Sequence, residues 1–166
     1  MRATLPPGLE RLRRRSVGDA MDGLPAHLTM LYPFVEPARL GRAVRRRLAS
    51  VAAATPPFDY KLVAAATWPG TIYVAVDPAE RFVALQRSLG AAFPDFPIYG
   101  PNPGFMFVPH VTIAEGPPIA DPVTLEDAAW RALPRLGRAG SIEVIARPTD
   151  APWRTIWRLP LGRMRT

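Results

Sequence analysis

Proline limits what this chain can form more than any other residue. The sequence has 21 prolines, several beside glycine, and they cut it into short segments. Residues from Leu9 to about Ala20 are arginine-rich helix formers that stop at Gly23-Leu24-Pro25, after which PAHLTML reads as a short strand. A second helix is expected from Ala38 to Ala54, where Leu40, Val44, Leu48 and Val51 recur at helical spacing. Arg39, Arg42 and Arg46 fall outside that stripe, as a solvated face. Pro56-Pro57 ends it, and FDYKLVAAA and TIYVAVD then form a hairpin about Trp68-Pro69-Gly70. A third helix, from about Pro78 to Ala92, turns Phe82, Leu85, Leu89 and Phe93 to one side as core.

Between Phe93 and Phe107, four prolines and two glycines leave room only for a long, stiffened loop, and it runs into FVPHVTIA. Past Gly116-Pro117-Pro118, a helix is expected over Leu125 to Leu133. The strands SIEVIAR and WRTIWRLP follow, joined by a turn near Thr149-Asp150-Ala151-Pro152. Helices mixed with hairpin-connected strands predict an α+β fold with antiparallel sheets. At 166 residues and 48% apolar content, one domain covering residues 1–166 is expected.

With no cysteine, there is no disulfide framework, thiolate nucleophile or cysteine-ligated zinc, and nothing asks for an oxidising compartment. The N-terminal run MRATLPPGLERLRRR lacks the apolar centre of a signal peptide. No apolar run approaches the ~20 residues that span a bilayer, so a soluble, cytoplasmic protein without membrane partners is expected. A net charge of +7 favours phosphorylated or polyanionic partners. Every basic residue but Lys61 is arginine, however, and with abundant alanine and proline that also fits the coding bias of a GC-rich genome.

The chain has two histidines, and both stand in the same setting: PAHLTM around His27 and VPHVTIA around His110. Side chains alternate along a strand. An extended PAHLTM therefore puts His27 and Thr29 on one face and Leu28 and Met30 on the other; His110 and Thr112 likewise share a face opposite Val111 and Ile113. A single His-x-Thr says almost nothing, but its repetition at both histidines is an improbable coincidence. Imidazole titrates near neutrality, so two can serve as an acid–base pair. Displacement at phosphorus needs such a pair, one group taking a proton from the attacking oxygen and the other giving one to the departing oxygen. Threonine hydroxyls at their side can hold the non-bridging oxygens.

Other chemistries are less well supplied. Two histidines without HExxH spacing or an evident carboxylate partner make no metal site. Ser16, Ser50, Ser88 and Ser141 lie in no nucleophile motif, and no phosphate-binding glycine loop is present. Metal-free chemistry without a cofactor is therefore expected.

In order, PAHLTMLYPF, TWPGTIYVAV, FPDFPIYG, FVPHVTIAEG and WRTIWRLPLG resemble the landmarks of the two-histidine (2H) phosphoesterase superfamily, and within it the bacterial 2'-5' RNA ligase family proteins. The similarity runs from about Gly8 to Gly162. It implies a bilobal α+β fold of two pseudo-symmetric antiparallel sheets, with helices outside and a central cleft where the two units meet. It also implies His27 and His110 as the catalytic pair and Thr29 and Thr112 as the phosphate-binding residues. Such proteins open 2',3'-cyclic phosphates or other 2'-linked phosphodiesters of RNA ends and small nucleotides without metal, and some ligate 2'-5' linkages reversibly. The rival on the same fold is a non-catalytic module that binds RNA ends or nucleotides.

The family's usual first strand is reduced here to MRATLPPG, in which Pro6-Pro7 cannot continue a central strand. Either the first lobe lacks a complete strand or the sequence starts late. Tyr99 and Phe105 could stack on a base, and Arg154 and Arg158 could reach phosphate. Tyr32, of opposite strand parity to His27, is expected to face the core unless Pro33 ends the strand first. A monomer is expected.

Overall fold

The computed structural model describes residues 1–100, 106–116, 130–148 and 151–162. Helix α1 (Pro7–Ser16) leads into the single turn α2 (Gly18–Met21). A 3-10 turn (Pro37–Arg39) precedes α3 (Arg42–Ala54), and the hairpin β1 (Phe58–Trp68) and β2 (Thr71–Asp77) precedes α4 (Ala79–Ala92). The strands β3 (His110–Glu115), β4 (Arg135–Ala139), β5 (Ser141–Ala146) and β6 (Arg154–Pro160) complete the order. One antiparallel sheet has the order β3-β2-β1-β4, and a second pairs β5 with β6. This is the α+β arrangement of antiparallel sheets expected from the sequence, with sheets of unequal size.

The helices form where periodicity and proline allow. Pro7 opens α1, where a missing N–H costs nothing, and Leu9 and Leu12 point into the core. In α3, Leu48 and Ala52 are buried while Arg42, Arg45 and Arg46 stay exposed. Phe82, Leu85 and Leu89 of α4 are buried, and the Phe82 ring meets Phe58 and Tyr60 edge-on at 4.9 and 5.1 Å. Helix α1 packs on β3, and α3 packs on both α4 and β6. No helix among the described residues is long and apolar enough to cross a membrane.

Several expectations change. The first helix begins at Pro7 and is interrupted at Val17, whose extended backbone separates α1 from α2. PAHLTM is extended but joins no ladder; its one bridge is His27 with Arg2. Ala3 N–H donates to the Ala26 carbonyl at 2.8 Å and Leu28 N–H to that of Met1 at 2.7 Å, so residues before Pro6 supply a minimal edge to this lobe. Strand β4 was not expected: RLGRA carries no apolar alternation, and it pairs with β1 as a charged edge, Arg138 facing Asp59 at 2.9 Å. The helix expected over Leu125 to Leu133 lies largely outside the described residues, as do Thr149 and Asp150 of the last turn.

Candidate active site

Strand β2 turns Ile72, Val74 and Val76 into the core and Thr71, Tyr73 and Ala75 to the other face, where Tyr73 is buried under Trp68. On β3 their partners are Glu115, Thr112 and His110 respectively. The register slips between Thr112 and Ala114, where Ile113 is an extra residue against β2. This β-bulge reverses the alternation: Val111 and Ile113 are fully buried, as expected, yet Glu115 comes out on the same face as His110 and Thr112. From β1, Trp68 opposes Thr71 and adds its indole to that face, stacked on Tyr73 at 4.1 Å and edge-on to the His110 ring at 4.7 Å.

His27 and Thr29 arrive from the other lobe. Leu28 and Met30 between and beside them are buried, which leaves His27 and Thr29 half-buried on the opposite side, as the alternation predicts. The two units open into adjoining cavities. One, of about 470 Å³, is lined by His27, Thr29 and Thr112; the other, of about 330 Å³, by His110, Thr112 and Trp68. Tyr99, Thr112 and Glu115 line both.

Both imidazoles are held in the same way. Nδ1 of His27 lies 2.9 Å from the Pro25 carbonyl, and Nδ1 of His110 lies 2.7 Å from that of Val108, in each case two residues back along the chain. A carbonyl can only accept, so each Nδ1 carries the proton, and the neutral ring keeps its lone pair on Nε2. Burial lowers both pKa values. That of His27 falls to about 4: lost hydration acts first, then the positive Met1 ammonium, with smaller pushes from Arg13 and His110 against the pull of the Pro25 hydrogen bond. His110 is lowered by burial too, partly offset by its bond to Val108.

Tyr99 is brought to the cleft by its loop. It has a left-handed backbone, φ 55°, and its N–H donates to the Tyr32 carbonyl. Its side chain hydrogen-bonds Thr29, and its ring lies 6.4 Å from that of Tyr32. Phe105, its proposed companion, lies outside the described residues.

Arg154 and Arg158 are exposed on β6 and line neither cavity; Arg158 Nε donates instead to Glu143 at 3.0 Å. Tyr32 is 58% exposed and lines the larger cavity, because the chain bends after Thr29 and parity no longer applies.

Sequence reasoning passed over three cleft residues. Arg13, hidden in an arginine-rich run, is 2% exposed, donates to the Leu24 carbonyl at 2.8 Å and lines the larger cavity. Trp68 stands beside the Pro69-Gly70 turn, which masks its place in the cleft, and Glu115 reaches the cleft only through the bulge. No three His, Asp or Glu side chains among the described residues are grouped as metal ligands.

Known proteins match the sequence and the fold. The sequence model of the 2'-5' RNA ligase superfamily matches residues 2–149. A Geobacillus kaustophilus protein named "Putative phosphoesterase" is 30% identical over 101 residues, and one of the same name from Geobacillus thermodenitrificans is 29% identical over 101. The matched part is 59% of this chain and 56% of either relative, so the chain spans little more than half the length of both. Among solved structures, TT0787 of Thermus thermophilus superposes with a TM-score of 0.62 at 17% identity, covering 82% of this chain and 78% of that one. E. coli LigT complexed with 3'-AMP superposes with a TM-score of 0.55 at 16% identity, covering 96% and 95%.

Proposed function

Since the chain belongs to the 2'-5' RNA ligase superfamily, with its two-histidine phosphoesterase fold, we propose that it is a metal-independent phosphodiesterase for 2',3'-cyclic phosphates or 2'-5' linkages of RNA ends or small nucleotides. The observation that carries this reading is the duplicated tether, in which two carbonyls fix two imidazoles in the tautomer that presents Nε2 to adjoining cavities. The similarity to phosphoesterases and to a LigT structure holding 3'-AMP supports the substrate class.

In the proposed reaction the phosphorus sits between the two rings, and Thr29 and Thr112 donate to its non-bridging oxygens. One Nε2 removes the proton of a water as its oxygen bonds to phosphorus. The bond to the ribose 2' or 3' oxygen breaks, and the other ring, protonated, gives that oxygen its proton. His27, its pKa lowered by burial to about 4, is neutral at pH 7 and so starts in the form a base requires. His110 is then the acid, its protonated form favoured once an anionic phosphate lies beside it.

Turnover of 2',3'-cyclic mononucleotides and 2'-5' dinucleotides with EDTA present tests this. His27→Ala and His110→Ala should each lose at least ~10²-fold in rate. An ester with a good leaving group should restore much of the His110→Ala rate and little of the His27→Ala rate, because only the acid becomes dispensable. Full activity in either alanine variant rejects the mechanism. Tight binding of a 2'-phosphorylated end without any product would point instead to a binding module.

A further inference from the structure

A carboxylate stands where a phosphate is expected to bind. Glu115 is placed on the cleft face by the bulge at Ile113, beside Thr112 and opposite Thr71, and it lines both cavities. Among the described residues no hydrogen bond or ion pair engages its side-chain carboxylate. The buried Arg13, whose charge it feels, is committed to the Leu24 carbonyl. An ionised carboxylate accepts hydrogen bonds and repels anions. The smaller cavity beyond it is walled by Trp68, Met106 and Val108, which suits a flat, neutral group, and among the described residues its lining holds no arginine or lysine to receive a second phosphate.

From this placement we infer that Glu115 determines specificity. It accepts a hydrogen bond from a neutral O–H or N–H of the nucleoside, and it turns away nucleotides that carry a second phosphate besides the reacting one. The inference rests on the phosphoesterase reading above, and it assigns Glu115 no part in the chemical step.

Two measurements separate the two ideas. The first is kcat/KM for a nucleoside 2',3'-cyclic phosphate with a free 5'-hydroxyl and for the same compound bearing a 5'-phosphate. The second is calorimetric binding of a nucleoside 3'-monophosphate and of its 3',5'-bisphosphate. Both are made at low ionic strength, where exposed charges are least screened. The wild-type protein should favour the singly phosphorylated member of each pair by about tenfold. Glu115→Gln keeps an acceptor and loses the charge, so it should bring both ratios near one, whereas Glu115→Asp should keep the preference. Turnover with ratios that Glu115→Gln leaves unmoved overturns the role of Glu115 while the phosphodiesterase reading stands. Ratios that shift in binding, with no turnover of any substrate, support Glu115 and overturn the phosphodiesterase. If none of the four nucleotides binds, both ideas fall.

Discussion

The carbonyl two residues before each histidine does more than orient a ring. By taking the Nδ1 proton it leaves Nε2 free, and the Pro25-Ala26 and Val108-Pro109 lead-ins set those carbonyls in place. Holding His27 neutral has a measurable cost in acid. Its pKa, about 4 in the folded protein, lies below the usual 6.5, so folding disfavours the protonated ring. As pH falls below about 6.5 the unfolded chain takes up a proton that the native one refuses. The stability contributed at neutral pH is thus lost down to about pH 4, and the loss is no more than about 3 kcal/mol. Urea unfolding at pH 7, 5.5 and 4 should show the wild type losing more stability than His27→Gln, which has no charge to gain. Parallel losses would mean that the imidazole is not desolvated as the fold implies.

At the scale of elements, a strand that nothing in its own sequence announces closes the larger sheet. Gly137 of β4 lies directly opposite Tyr60, and a β-carbon there would overlap the phenol ring. Tyr60 is itself wedged against Phe82, so the ring cannot step aside. Gly137→Ala should therefore lower the unfolding free energy by about 1–3 kcal/mol, seen as a drop in thermal midpoint, while the folded fraction keeps its turnover. An unchanged midpoint would show that β4 can shift.

The same strand shows what the sequence could reveal. Helices α3 and α4 and the β1–β2 hairpin were legible because burial repeats at 3.6 or 2 residues between proline breaks. Arg135, Leu136 and Arg138 of β4 are exposed at an edge, and burial left no pattern to read. In the candidate site, strand parity alone puts His27 with Thr29 and His110 with Thr112 on shared faces, as the structure has them. Glu115 escaped because a bulge resets that parity without leaving a mark in residue spacing, whereas for Tyr32 the break was signalled by Pro33, and the chain bends there.

At the scale of the whole molecule, the candidate site exists only while the two sheets hold their relation, because His110 belongs to the large sheet and His27 to a segment with almost no ladder of its own. That segment borrows its order. Arg2 bridges His27 through the backbone and reaches Glu143 on β5 at 3.2 Å. The Glu143 side chain, 5% exposed, also accepts from Thr155 at 3.2 Å and Arg158 at 3.0 Å. A nearly buried carboxylate with three donors thus links the small sheet to the backbone beside His27. Arg158, exposed on β6, is one of these three donors.

Glu143→Ala should destabilise the protein by about 1–3 kcal/mol and lower kcat/KM, because Arg2 loses the anchor that holds its backbone against His27. If the effect on activity travels through Arg2, then Arg2→Ala and Glu143→Ala will not be additive, and the double variant will be scarcely slower than the worse single one. Full additivity in kcat/KM would separate Glu143 from His27 and reduce it to a local prop of the β5–β6 hairpin.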